Sequence, residues 1–167
     1  ENLLAPRVNA HFDAKLSLAE VRSILKLPVA LQGMLNLAGT LSYAGPSDYA
    51  LLARLSGSGL GNMRFTSGLE MRPGKVYVPG LIVSALGGTF SGSAELEKLT
   101  RFHLAGEAKG ISMLEAAKLR QIQLGPWSGR VSGPVEIEGR VESGLPRYVK
   151  AAAKLTVEAS DQTRPVE

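Results

Sequence analysis

Gly33-Met34-Leu35-Asn36-Leu37-Ala38-Gly39-Thr40-Leu41 returns later in the chain as Gly133-Pro134-Val135-Glu136-Ile137-Glu138-Gly139-Arg140-Val141. Both phrases read glycine, alternating aliphatics, glycine, then another aliphatic. Successive side chains of a strand point to opposite faces, so a period of two marks a strand with one apolar face. A second phrase doubles nearby: Ser17-Leu18-Ala19-Glu20 and Ser112-Met113-Leu114-Glu115 each open a short apolar stretch. Ser followed three residues later by Glu is the spacing of a capping box, which satisfies free N–H groups of a first helical turn. A helix start followed by a glycine-marked strand, found twice, points to repeating β units and not to a fold built around one catalytic centre. The two copies differ in spacing, so the repeat is inexact.

Alternation extends over most of the 167 residues. Val8, Ala10, Phe12, Ala14 and Leu16 form one apolar face. Ser17 then starts a helix that runs to Leu25 and ends before Pro28. The strand from about Leu31 to Ala44 carries Leu35, Leu37, Leu41 and Tyr43 on one side. After the turn Gly45-Pro46-Ser47-Asp48, the returning face is Tyr49, Leu51, Ala53 and Leu55. A hairpin loop follows over Gly57 to Asn62, then a strand with Met63, Phe65, Leu69 and Met71. Arg72-Pro73-Gly74-Lys75 is the next turn. Val76 and Val78 precede an interruption at Pro79-Gly80, and Leu81 to Leu86 end at the break Gly87-Gly88. Phe90, Gly92, Ala94 and Leu96 alternate with polar residues, and a further strand covers Phe102 to Lys109. The second helix is expected over Met113 to Arg120. Three strands close the chain, near 128–131, 135–141 and 148–159. Tight turns between sequential strands imply antiparallel meanders. The expected fold is mainly β, one antiparallel sheet with two short helices.

The composition narrows the function classes. Aromatic residues are only 5 % of the chain, low for a compact sandwich whose core is filled by large rings. The net charge is +4, with no three consecutive Lys or Arg. The cations look diffuse along the sequence, so a nucleic-acid groove is not expected; a solvated exterior is preferred over weak attraction to an anionic membrane surface. Cysteine is absent, which excludes disulfides, thiolate chemistry and thiolate zinc sites. No apolar run approaches the length of a membrane span. The start at Glu1 and the polar tail Asp161 to Glu167 suggest a segment of a longer protein. Residues 1–160 then form one β-rich domain and 161–167 a tail.

Candidate chemistry is sparse. Glu95 with Glu97, and Glu136 with Glu138, are carboxylates two apart on a strand, and each pair shares a face. Apolar residues hold the alternate positions, so these acids should face water. His11 and His103 also fall on polar faces, with no third ligand at strand or helix spacing. No Gly-x-Ser-x-Gly elbow is present. Gly57-Ser58-Gly59-Leu60-Gly61 lacks the lysine of a phosphate loop. Trp127 would plug the sheet or anchor it at an interface, the plug being preferred. No catalytic residue, metal or cofactor is expected.

The two glycine-marked strands, together with Val76-Tyr77-Val78-Pro79-Gly80-Leu81-Ile82-Val83-Ser84-Ala85-Leu86-Gly87-Gly88-Thr89-Phe90-Ser91-Gly92-Ser93-Ala94-Glu95-Leu96, resemble the AsmA-like and TamB-like family of Gram-negative envelope proteins. Valine- and leucine-rich strands lead to a Gly-Gly pair, a Thr-Phe-Ser-Gly-Ser-Ala strand follows, and then a short helix of the type Ile-Ser-Met-Leu-Glu. The resemblance covers most of the chain and both branches of the family. It implies a periplasmic segment of a protein anchored at the inner membrane. The sheet would curl into a taco-like half barrel whose apolar concave face holds phospholipid or other acyl-chain lipid on its way between the membranes. It also implies neighbouring β-segments of the parent chain as partners and, from the TamB branch, an outer-membrane β-barrel protein. On that reading Leu35, Leu37, Leu41, Leu51, Phe65, Phe90, Leu104, Val135, Ile137 and Leu155 line the groove. The same side chains would also fill a closed sandwich core. Composition alone favours the closed core, and the resemblance favours the groove.

Overall fold

In a computed structural model the chain forms one ten-stranded antiparallel sheet that does not close into a barrel. The structure describes residues 7–20, 33–59, 62–122, 129–142 and 145–159. The strands are β1 (Val8–Ser17), β2 (Met34–Gly45), β3 (Asp48–Ser58), β4 (Arg64–Arg72), β5 (Lys75–Ala85), β6 (Gly88–Glu97), β7 (Arg101–Ser112), β8 (Gly129–Glu142), β9 (Leu145–Ala153) and β10 (Thr156–Ala159). They pair in chain order, and β9 and β10 both lie along β8. The expected meander is therefore the observed topology.

Several boundaries move from their expected places, each for a local reason. Pro79-Gly80 does not end a strand. β5 runs through it as a bulge, with one extra residue against both neighbours. Gly80 has φ 59°, a conformation that glycine adopts without steric cost. Ser67 closes the site by donating its hydroxyl to the Pro79 carbonyl at 3.1 Å. The two strands expected near 128–131 and 135–141 are one, β8, continuous through Gly133. The last expected strand is instead divided: β9 and β10 are separated by Lys154 and Leu155. The break after β5 falls at Leu86 and Gly87, both at positive φ, and Gly88 already pairs with Ala85.

The helix Met113–Arg120 lies where the sequence places it. The Ser112 hydroxyl accepts the Glu115 N–H at 3.3 Å. Glu115 does not return to the Ser112 N–H, which donates instead to the Leu86 carbonyl at 2.8 Å. At Ser17 the Glu20 half of the box forms, while the cap hydroxyl takes the N–H of the second helical residue instead of the third. The Glu20 carboxylate accepts the Ser17 N–H at 3.0 Å, and the Ser17 hydroxyl accepts the Ala19 N–H at 3.2 Å. That first helix is described only over Leu18 to Glu20; its remainder, Pro28 and Trp127 lie outside the described residues. Ser112→Ala should lower stability by about 1 kcal/mol through loss of the cap. A denaturant midpoint equal to that of the unmodified chain would refute the cap's contribution.

A closed sandwich core is not what these side chains build. Among the described residues only Ser67, Ala108, Ala117 and Gly129 are buried, and no large side chain is fully buried. The sheet is a single layer, with the helix Met113–Arg120 against β7 and β8. Exposure nevertheless alternates along most of β1, β2 and β8, the apolar positions being the shielded ones except at Val8 and Tyr43. With no second layer over them among the described residues, the apolar side chains are shielded only by their neighbours on the same face. The bulges in β5, β7 and β9 add to the bend and twist.

Candidate functional site

Register assigns each strand residue to a face. Leu35 pairs with Leu16 of β1 and Gly57 of β3, Leu37 with Ala14 and Leu55, and Leu41 with Ala10 and Leu51. Leu51 continues to Met71, and Phe65 pairs with Gly57 and Val83. Val83 pairs with Phe90, Phe90 with Ala108, and Leu104 with Ala94 and Ile137. Gly106 pairs with Val135, and Val135 and Ile137 reach Ala153 and Ala151 of β9. Nine of the expected lining residues thus stand on one side of one sheet. Leu155 is the exception. It sits in the interruption between β9 and β10, is 48 % exposed, and is not held by the ladder.

The bulges keep that face continuous. Val76 and Val78 are even-numbered, whereas Leu81, Val83 and Ala85 are odd. Without the extra residue at Pro79-Gly80, half of β5 would turn its aliphatics to the other side. Gly110, at φ 63°, does the same for β7, so that Ala108 and Ile111 share a face. The Gly110 N–H donates to the Ser132 hydroxyl at 2.9 Å. Arg130 donates to the carbonyls of Gly87 and Gly110, at 2.9 and 3.1 Å. Among the paired strand residues, the shared face carries no charge at all. Its hydroxyls are those of Ser67, Tyr43 and Tyr49, and Ser67 donates its proton to backbone carbonyls.

All four phenylalanines lie on this face, each beside a glycine of a neighbouring strand. Phe12 is opposite Gly39, Phe65 opposite Gly57, and Phe102 opposite Gly139. The rings of Phe65, Phe90 and Phe102 cover Gly57, Gly106 and Gly139 so closely that a Cβ there would meet ring carbon at 2.6 Å. Rings folded down over glycines cover backbone and leave the surface level. The sequence shows the glycines and the rings, but only register shows that they meet.

The opposite face is polar, as the paired acids and the histidines predict. Glu95 binds Lys75 at 2.6 Å, His103 meets Glu136 at 2.9 Å, and Glu138 meets Lys150 at 3.2 Å. The hydrogen bond from Lys75 holds the Glu95 carboxyl below its ordinary range, and the same bond raises Lys75. This pair contributes above the ordinary carboxylate pKa and is lost as pH falls through the lowered value of Glu95. Both groups face water, so the contribution is small. Three shallow depressions of about 790, 430 and 260 Å³ open on this polar face, between its long side chains. Of the expected lining residues, only Leu41 borders any of them. Among the described residues no three His, Asp or Glu side chains gather as a metal site. Among the described residues no helix is long and apolar enough to cross a membrane.

The chain was compared with known protein families, with curated proteins and with solved structures, and none matches it.

Proposed function

We propose that the apolar face holds the acyl chains of a phospholipid or similar lipid, as one section of a conduit in the cell envelope of a Gram-negative bacterium. The reading assigns no covalent chemistry to the chain. One observation carries it: a charge-free aliphatic face spans the sheet, and no second layer among the described residues covers it. Burying one CH₂ is worth about 0.8 kcal/mol, so an acyl chain of ordinary length costs on the order of 10 kcal/mol when bare in water. An aliphatic trough removes most of that cost. A peptide strand laid on the same face would leave its backbone N–H and C=O groups without partners, because the sheet's own are already paired. Acyl chains have no such groups. With no polar anchor on the floor, a chain would slide along it instead of being trapped.

The test is binding of a fluorescent fatty-acyl probe, competed by phospholipid, together with thermal melting. Because the lining is only half covered in the free protein, an occupant that binds the folded state should raise the melting temperature. At about a hundredfold excess over its Kd the gain is roughly 2.7 kcal/mol. No probe binding and no thermal shift would reject the reading.

A second reading takes a free sheet edge as the site, adding a strand from an outer-membrane β-barrel protein or from neighbouring β-segments of the parent chain. It is favoured by the exposure of residues 146–159, which include Tyr148, Val149, Leu155 and Val157. It is weakened by the bulge at Tyr148 and the break at Lys154-Leu155, which interrupt the row of backbone groups that a partner strand would need. The lipid reading is therefore preferred.

A further inference from the structure

We propose that the end of the sheet formed by the tight turns is a docking surface for an anionic lipid bilayer, held by a row of arginines on the polar face. The cations that look scattered in the sequence come together here. Read straight across six strands, the register aligns Arg72, Lys75, Glu97, Arg101, Arg140 and Arg147. Five of these six are cations, over a width of roughly 24 Å at the usual strand spacing. Lys98 adds a further cation in the turn between β6 and β7, and Glu142 adds one carboxylate at the end of β8. Over the turns that join β4 to β9 there are thus six cations and two carboxylates, with Lys75 also paired to Glu95.

Arg101, Arg140 and Arg147 are directly opposite one another on adjacent strands. Like charges at such positions repel. Among the described residues, none of the three has a carboxylate within ion-pair distance. Some cations of the sheet are occupied: Arg130 ties two carbonyls, Lys109 and Lys150 meet glutamates, and Lys75 within the row is paired with Glu95. The larger depression lies over Arg101, Arg140 and Tyr148. Of the carboxylates beside it, Glu95 and Glu138 are already paired with lysines. Planar guanidinium groups side by side suit phosphate oxygens, which they bind in a bidentate manner.

Two exposed side chains favour a bilayer over a soluble polyanion. Leu99, at the tip of the turn between β6 and β7, is 61 % exposed, and Tyr148, beside Arg147, is 77 % exposed. An aliphatic tip and an amphipathic ring among arginines suit a headgroup layer. The end is also firm. The Lys98 N–H donates to the Gly74 carbonyl at 2.5 Å and the Val141 N–H to the Thr100 carbonyl at 2.7 Å, lacing three turns together. The proposal stands whether or not the apolar face carries acyl chains.

The test is co-sedimentation with vesicles of phosphatidylcholine alone and of phosphatidylcholine with phosphatidylglycerol. The unmodified chain should bind the anionic vesicles, release at high salt, and ignore the neutral ones. Each cation near an anionic surface is worth about fivefold in partitioning, so Arg101→Gln, Arg140→Gln and Arg147→Gln together should cost on the order of a hundredfold. Removing the repulsion should leave the melting temperature of that variant unchanged or raised, which separates lost docking from lost fold. Leu99→Ser should weaken binding with no change in charge. The control Lys15→Gln, Arg64→Gln and Lys109→Gln, which removes the same formal charge elsewhere, should bind more tightly than the arginine variant. Equal losses in the two triple variants, equal binding to neutral vesicles, or tighter binding to a single-stranded RNA than to anionic vesicles would each overturn the proposal.

Discussion

Leu37→Glu and Ile137→Lys should each abolish acyl-chain binding while the sheet still folds. Leu37 stands between Ala14 and Leu55, and Ile137 between Leu104 and Ala151. Neither is fully buried, so a charge at either position stays hydrated in the free protein and the fold tolerates it. The cost appears only when hydrocarbon arrives and displaces that water. The face offers no opposite charge, so the ion must remain unpaired or be neutralised. Taking about 2–4 kcal/mol for that penalty, affinity falls by roughly thirtyfold to a thousandfold. Leu52→Glu is the matched control, because Leu52 is 50 % exposed on the polar face and its substitution should change nothing. Binding of the fluorescent acyl probe, with circular dichroism to verify the fold, reads all three variants. If both lining variants fold and bind the probe as the unmodified chain does, the lipid reading is wrong. If binding were lost only on placing proline in an edge strand, the edge reading would take its place.

The face that carries this prediction was legible in the sequence because side-chain alternation is a local property. Leu35 to Leu41, Phe90 to Leu96 and Val135 to Val141 declare their apolar side without reference to any other strand. The bulges were legible in part. The switch from even to odd aliphatics across Pro79-Gly80, and again across Gly110, is the mark of one inserted residue. The sequence reading takes Pro79-Gly80 as an interruption because proline and glycine ordinarily end strands. The exposed glutamates followed from the same alternation. Features that join distant strands were not legible. The meeting of Arg101 with Arg140 and Arg147 depends on two registers and a bulge in β9, so the cations read as diffuse. The pairing of phenylalanines with glycines is hidden for the same reason. Leu155 was misplaced because the alternation continues through a point where pairing does not.

One substitution, glycine to alanine, should have opposite consequences at two lining positions. At Gly92, in the middle of β6, an added Cβ would stand on the carbonyl oxygen of Ala105 and the Cα of Gly106. Those are backbone atoms of the neighbouring strand and cannot rotate away, so β6 and β7 must separate or twist. Overpacking of this kind costs about 1–3 kcal/mol. At Gly139 the nearest obstacle is the Phe102 ring, at 2.6 Å, with the Arg147 carbonyl at 3.2 Å. A ring can turn about χ1 and χ2, and on this open face it has room to do so. Gly139→Ala should therefore cost less than about 1 kcal/mol in stability, the order of an off-rotamer side chain. It should still lift the Phe102 ring off the floor into the path of an acyl chain and weaken probe binding. Phe102→Leu in the Gly139→Ala background should restore binding, because a shorter side chain fits beside the new methyl group. Denaturant melts and probe titrations of the three variants decide it. Equal destabilisation by the two alanines would show that ring and backbone obstruct alike. Loss of binding that Phe102→Leu fails to restore would show that the ring is not the obstacle.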